Sequence, residues 1–157
     1  MVDLVMLQSL SYMAAAIGVC VATFYYVMML RSTIDNRKAQ LLMEYNKITS
    51  SKEWLIDLHE SLNYEWKDYE DFWAKYGHPN PEAHSRWISI ANSMDCALML
   101  LRRNLVDEEM LRYYLSNVSM GVFWEKFSPA IKEMRIHMNS PKMFSPIEFY
   151  YNKWIKS

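Results

Sequence analysis

The sequence predicts an all-α protein in which one N-terminal transmembrane helix is followed by a compact bundle of about five to seven helices. Three observations indicate this class. The run from Leu4 to Leu30 has no charged residue, apolar positions after it recur every three or four residues, and only three glycines and five prolines occur in 157 residues. We expect a transmembrane anchor at 1–31 and a helical domain at 32–157.

The apolar run is long enough to cross a bilayer. Its 27 residues form roughly 40 Å of helix at about 1.5 Å per residue, and the hydrocarbon core is about 30 Å thick. A cleaved signal peptide fits poorly, because the run is preceded by Asp3 without Lys or Arg, exceeds the usual ~7–15 apolar residues, and lacks a small-residue cleavage site. The run therefore predicts an uncleaved anchor in the lipid bilayer.

The residues at the end of the run predict its orientation. Lys and Arg are in excess on the cytoplasmic side of membrane helices, and tyrosines are enriched at the interface. The membrane boundary is therefore predicted at Tyr25, Tyr26, Arg31, Arg37 and Lys38. We expect a single-pass protein of the plasma membrane, with its N-terminus outside and its domain in the cytoplasm.

The anchor helix is expected to continue past the membrane. Neither Gly nor Pro occurs between Gly18 and Gly77, and Ile34, Leu42 and Tyr45 fall on one apolar stripe. One rod is therefore predicted to extend toward Tyr45.

A second helix is predicted to begin at a capping box. The Ser50 hydroxyl and the Glu53 carboxylate are spaced to accept hydrogen bonds from free amides at a helix start. Leu55, Leu58 and Leu62 then recur at helical spacing, which predicts its buried face.

An aromatic segment follows and is predicted to form a helix that stops at Gly77. Its rings recur at three- and four-residue spacing. Because one core is not expected to bury all of them, we predict a docking surface for a protein partner. The candidate residues are Tyr64, Trp66, Tyr69, Phe72, Trp73 and Tyr76.

The remaining helices are marked by caps. Asn80 and Pro81 are predicted to start a long helix that ends near Arg102, Arg103 and Asn104. Asp107 is predicted to open the next one.

Two further helices complete the predicted bundle. A helical pattern runs from Met120 to Met138, and Pro129 is expected to kink or break it near Phe127. Ser145 is predicted to cap a short final helix.

Composition excludes some classes of function. The chain has a net charge of -1, and the predicted domain is formally neutral, which argues against nucleic-acid binding. Cys20 lies within the predicted span and Cys96 in the domain, so no disulfide is expected. No motif of a reactive cysteine surrounds Cys96.

The sequence contains no reaction motif, and we predict no catalytic residue, metal site or cofactor. His78 and His84 lack the tight spacing of zinc motifs and are interpreted as loop histidines. Glu65, Asp68 and Asp71 stand three apart, and we interpret them as a solvated helix face rather than a cation site.

One pattern in the anchor favours a partner helix. Ala14, Gly18 and Ala22 are spaced four apart, which forms a ridge of small residues that permits close helix approach. We predict that this ridge is a membrane-helix interface, with another membrane subunit or with a second copy.

Four segments carry a resemblance to a known family. They are LVMLQSLSYMAAAIGVCVATFYYVMMLR, YEDFWAKYG, RRNLVDEEM and FWEKFSPAIKEMR. The chain resembles a family of small prokaryotic, largely archaeal, membrane-anchored helical proteins of unknown function. The resemblance covers nearly the whole chain and implies fold and topology only.

Two functional interpretations follow. The favoured one is a non-catalytic accessory or structural subunit of a larger membrane complex, whose domain binds other proteins; a subunit of a metal oxidoreductase of energy metabolism is a variant of it. The alternative is a membrane-anchored ligand sensor or small enzyme with a pocket among the domain helices.

Overall fold

The computed structural model describes residues 3–115 and 117–156. Within these ranges it contains seven α-helices, a short π-helical segment and no strand, so the predicted all-α class is confirmed. The helices are α1 (Leu4–Thr49), α2 (Lys52–Leu62), α3 (Tyr69–Tyr76), α4 (Pro81–Arg102), α5 (Glu108–Tyr114), α6 (Val122–His137) and α7 (Ser145–Trp154), and the π-helical segment is Asn117–Gly121.

The chain divides into two compact units, Met1–Gln40 and Leu41–Ser157. The described part of the first unit is helical from Leu4 onward, and its apolar side chains are exposed, as Phe24 illustrates at 68%. By length and composition α1 is a candidate membrane span. The predicted N-terminal apolar helix is therefore confirmed.

Helix α1 runs without interruption to Thr49, as the absence of Gly and Pro after Gly18 predicts. In the second unit, Leu42 and Tyr45 on this helix are buried in the hydrophobic core. The second unit therefore includes the last turns of α1 as well as the six later helices.

Polar side chains cap the starts of α2, α3, α4 and α5, whereas no side-chain hydrogen bond caps α6 or α7. Asp68 accepts a hydrogen bond from the Asp71 amide at 2.9 Å, and Asp107 accepts one from the Met110 amide at 3.0 Å. Asn80 caps α4, whose first residue is Pro81, as predicted. These caps satisfy amides that have no partner within the helix.

Two predicted caps are wrong by one residue. The cap of α2 is Ser51, whose hydroxyl accepts a hydrogen bond from the Trp54 amide at 3.2 Å, whereas Ser50 donates to the Asn46 carbonyl at the end of α1. Ser145 is the first residue of α7 rather than its cap.

The core of the second unit is built around α4, which packs against α2, α3, α5 and α7. Trp87 of α4 is fully buried, stacks on Phe127 with ring centroids 5.5 Å apart, and packs edge-on against Phe72. Met94 and Met134 are also fully buried and fill space in this core.

Helix α6 continues through Pro129. The expected break near Phe127 is therefore wrong, while a kink stays a prediction. Phe127 and Ile131, on either side of the proline, are both fully buried. Packing on both sides of Pro129 holds the helix together despite the hydrogen bond that the proline removes.

Candidate functional site

A groove of about 1020 Å³ opens on the second unit beside the end of α1, α2 and the end of α5. We call it the α2–α5 groove. Its lining combines apolar and aromatic side chains with polar ones: Tyr45, Trp54, Leu55, Ile56, Leu58, Leu62 and Tyr114, together with Asn46, Thr49, Ser50, Lys52, His59, Glu60 and Ser119.

One wall of the groove is formed by the tight corner between α1 and α2. The Thr49 hydroxyl donates to the Tyr45 carbonyl at 3.1 Å, and the Ser50 hydroxyl donates to the Asn46 carbonyl at 2.6 Å. The backbone amide of Ser50 also donates to the Asn46 carbonyl, at 2.9 Å, so backbone and side-chain hydrogen bonds together close the last turn of α1. The corner therefore has a defined shape without any glycine.

A buried tryptophan ring contributes to the packing of α2 on the core. Trp54 is 8% exposed, and its indole N–H donates to the Ser93 hydroxyl of α4 at 3.1 Å. A buried indole needs such a partner, because an unpaired donor is costly to remove from water. The hydrogen bond therefore defines how α2 is rotated on the core.

This rotation corrects the predicted buried face of α2. Leu58 and Leu62 pack against the core, but Leu55 is 51% exposed and Ile56 is 43% exposed, and both line the groove. The expectation that Leu55 is buried is wrong, because Trp54 takes the place in the core. Two adjacent apolar residues, Leu55 and Ile56, were the sequence signal for an exposed apolar surface.

The apolar surface continues along α5. A smaller groove of about 440 Å³ is lined by Met110, Tyr113 and Tyr114 together with the charged residues Glu109 and Arg112. Tyr114 also lines the α2–α5 groove. Tyr113 is 81% exposed. The Arg112 guanidinium donates to the Trp154 carbonyl at 3.2 Å, which fastens α5 to α7. The exposed tyrosine rings therefore lie on a helix that is fixed to α7 by this hydrogen bond.

The electrostatic character of the groove is nearly neutral. Tyr45 is buried, its hydroxyl has no hydrogen-bond partner among the described residues, and burial raises its pKa, so the phenol stays neutral. Lys52, His59 and Glu60 supply polar groups to the lining, and Arg86 forms an ion pair with Glu60. This arrangement suits an apolar occupant with a polar margin.

The aromatic segment predicted as a docking surface lies mainly in the core. Phe72 is fully buried, and the other five rings are partly buried against the core: Tyr64, Trp66, Tyr69, Trp73 and Tyr76. Tyr64 and Tyr76 stack with ring centroids 3.9 Å apart, and Trp66 packs on Phe72 and Phe127. The segment's role in docking stays a prediction.

The acidic residues singled out in the sequence have local roles. Asp68 caps α3, and Asp71 forms an ion pair with Lys75 at 2.8 Å, which lowers the pKa of the Asp71 carboxyl. Across the described ranges, no cluster of three or more His, Cys, Asp or Glu side chains is arranged to hold a metal ion. Both cysteines are free and exposed.

The small-residue ridge of the anchor is uncovered in the first unit. Ala14, Gly18 and Ala22 are exposed, and a Cβ atom added at Gly18 would meet nothing within 4 Å. The predicted boundary residues are exposed or half-exposed: Tyr25, Tyr26, Arg31, Arg37 and Lys38. Both the interface and the boundary stay predictions.

Together these features define a class: an all-α protein with one candidate membrane-spanning helix and a helical domain that carries an open apolar groove. The chain belongs to the family described as a domain of unknown function (DUF4760), whose model matches residues 12–154. The resemblance to an uncharacterised family is therefore confirmed. Neither a curated protein nor a solved structure matches the chain.

Proposed function

We propose that the protein is a non-catalytic, membrane-anchored subunit whose domain receives an apolar helix of a partner membrane protein in the α2–α5 groove. The observation that carries this proposal is the exposure of Leu55, Ile56 and Tyr113 along one continuous apolar surface. Contiguous exposed apolar surface with a polar margin is typical of protein interaction sites.

The composition of this surface supports a protein occupant. Tyrosine and methionine are enriched in interfaces, and Met110, Tyr113 and Tyr114 stand together on α5. An amphipathic helix docks by laying its apolar face into such a groove, with its polar residues at the edges. Lys52 and Glu60 in the lining offer groups of both signs to those edges.

The anchor supports a partner in the same membrane. A single-pass helix with the ridge Ala14, Gly18 and Ala22 lets another membrane helix approach closely. The basic residues Arg31 and Arg37 favour a cytoplasmic domain, and hence a groove on the cytoplasmic side. A Ser157→Cys variant lacking the two native cysteines tests this orientation with a membrane-impermeant thiol reagent.

Site-specific photo-cross-linking tests the docking proposal. A photoreactive amino acid replaces Ile56 in the groove or, as a control, Ile136 of α6, which is 72% exposed and does not line the groove. Native membranes are irradiated and gently solubilised, cross-linked peptides are identified by mass spectrometry, and native gels report the size of the complex.

We expect position 56, but not position 136, to cross-link to one helical segment of a partner that migrates with the protein. Leu55→Glu is expected to reduce that yield, since a charge in the groove opposes an apolar occupant. Equal labelling from both positions, or migration of the protein as a monomer, would contradict the proposal.

A ligand sensor is the second candidate, and the size of the groove favours it. Ligand pockets commonly span roughly 300–1,000 Å³, and the groove is at the upper end of that range. Native mass spectrometry of the full-length protein tests this interpretation. A retained small molecule that is lost when Ile56→Trp fills the groove supports a sensor, whereas a ligand-free wild-type protein opposes it.

A further inference from the structure

We propose that His78 and His84 form a binding site for a divalent transition-metal ion such as Zn²⁺ or Cu²⁺ at the α3–α4 connection. His78 is exposed in the connection itself, and His84 is half-buried in the first turns of α4. The site is separate from the α2–α5 groove, whose lining includes neither residue.

The separation of the two rings matches shared coordination. A metal–nitrogen bond of about 2.0–2.1 Å places each imidazole centroid about 3.2 Å from the ion. If the two ligands subtend an angle of about 90° to 109° at the ion, the ring centroids are about 4.5–5.2 Å apart. The centroids of His78 and His84 are 4.6 Å apart.

The tilt of the rings distinguishes this pair from an ordinary aromatic stack. Tyr69 and His137 have the same centroid separation, 4.6 Å, but their rings are nearly parallel at 6°. The rings of His78 and His84 are tilted by 32°. The two histidines are therefore close without the parallel geometry that stacking favours.

A hydrogen bond selects the tautomer of His84. Its Nδ1 lies 3.3 Å from the Tyr76 carbonyl oxygen. Since a carbonyl only accepts, Nδ1 carries the proton and Nε2 keeps its lone pair for an ion. Metal-binding histidines commonly donate their other ring N–H in this way, which orients the ring.

The connection that carries His78 is closely packed at Gly77. A Cβ atom at Gly77 would lie 2.4 Å from the Trp73 carbonyl oxygen, so the close approach of the chain there requires glycine. The backbone amide of Asn80 donates to the Gly77 carbonyl at 2.9 Å. The Trp73 ring packs against His78 at 5.3 Å and against His84 at 6.1 Å. Trp73 therefore contacts both imidazoles.

The chemistry of the donors selects the class of ion. Imidazole suits Zn²⁺, Cu²⁺ and Ni²⁺, whereas Mg²⁺ and Ca²⁺ prefer oxygen ligands. In the described part of the chain no third His, Cys, Asp or Glu completes a cluster, so water fills the remaining positions. An open site of this kind exchanges its ion readily, and the bound ion ties the α3–α4 connection to the start of α4.

Calorimetric titration of the full-length protein with Zn²⁺ tests the site. The protein is purified with an affinity tag that contains no histidine, and Cys20 and Cys96 are alkylated first, because thiolates also bind these ions. The variants are His78→Ala, His84→Ala and, as a matched control, His59→Ala, which removes an exposed histidine of α2. Circular dichroism checks the fold of each variant.

We expect the wild-type protein to bind one Zn²⁺ and His78→Ala to weaken binding by about tenfold or more, with His59→Ala unchanged. His78→Ala is the decisive variant, since His84→Ala also loses the hydrogen bond to Tyr76. With Cu²⁺, electron paramagnetic resonance should show two coordinating nitrogens, and fewer in His78→Ala. Absence of binding at millimolar Zn²⁺, or equal binding by His78→Ala and wild type, would overturn the proposal.

Discussion

The apolar part of α1 and helix α4 are both long and rich in apolar residues, yet their side chains have opposite surroundings. Between Leu4 and Leu30, apolar residues occur all around the helix and are exposed, as Ile17 is at 65%. In α4 they recur every three or four residues, and the recurring positions are buried: Trp87, Ile90, Ala91, Met94, Ala97, Leu98 and Leu101. The arrangement of apolar residues, more than their number, indicates whether a helix packs on protein or requires an apolar solvent.

The largest expected loss of stability comes from truncating a side chain on the buried face of α4. Trp87→Ala removes a fully buried ring and its hydrogen bond to the Tyr76 carbonyl at 2.8 Å. We expect the free energy of unfolding to fall by roughly 3–5 kcal/mol, measured by urea denaturation in mild detergent. Met99→Ala is the control on the same helix, because Met99 is 37% exposed. An equal loss in both variants would break the contrast between the two faces.

The second prediction concerns the insertion of α1 into the membrane. Val19→Arg places a charge in the middle of the apolar run, where membrane insertion is expected to become about 2.5–3.5 kcal/mol less favourable. The share of protein retained in carbonate-washed membranes measures this, with Val19→Leu as the control. Full retention of the arginine variant would show that the run does not span the bilayer.

Removing a helix cap is expected to reduce the free energy of unfolding less than truncating a buried core residue does. Ser51→Ala removes the cap of α2 and should reduce the free energy of unfolding by about 1 kcal/mol. Ser50→Ala is the matched control, since its hydroxyl does not cap α2 but donates to Asn46. Thermal denaturation of both variants decides between the observed cap and the one that the sequence pattern predicts.

The smallest change in stability is expected when low pH protonates Glu108, which belongs to an exposed ion pair. Glu108 accepts hydrogen bonds from Lys153 at 2.5 Å and from the Trp154 indole at 2.9 Å, and these lower its pKa. The folded state then binds fewer protons than the unfolded state, so the stabilisation is complete above the unfolded carboxyl pKa and is lost as the pH falls through the lower folded pKa. Solvent screening limits the effect to about 0–1 kcal/mol.

The variant Glu108→Gln tests whether stability changes with pH in the expected direction. The variant should be less stable than wild type at neutral pH, and the difference in urea midpoint should shrink in acid. Glu109→Gln is the neighbouring control, because Glu109 is exposed and outside this ion pair. A difference that grows in acid would contradict the assigned direction of the pKa shift.

The parts of the fold that were predictable depend on neighbouring residues. The start of α4 follows from Asn80 and Pro81, and its end at Arg102 is one of the residues near which the sequence predicts the end. The cap of α2 was missed by one residue, because Ser50 and Ser51 are both suitable caps. Only the hydrogen bonds at the corner between α1 and α2 distinguish them.

The groove was less predictable than the helices. Leu55 and Leu58 both fit a helical apolar face, but one is half-exposed and the other packs against the core. The difference arises because the Trp54 indole reaches Ser93 on α4, a contact across 39 residues of sequence. Periodicity along one helix does not contain that information.

The sequence by itself determined the all-α class, the long apolar N-terminal helix and most helix limits, because charge, caps and spacing act within a few residues of one another. The tertiary structure alone decided which apolar side chains line the α2–α5 groove and that the rings of His78 and His84 meet at 4.6 Å. The groove lining follows from the packing of helices that are distant along the chain, as the Trp54–Ser93 contact shows. The histidine pair follows from the connection between α3 and α4 and from the contact of His84 with the Tyr76 carbonyl.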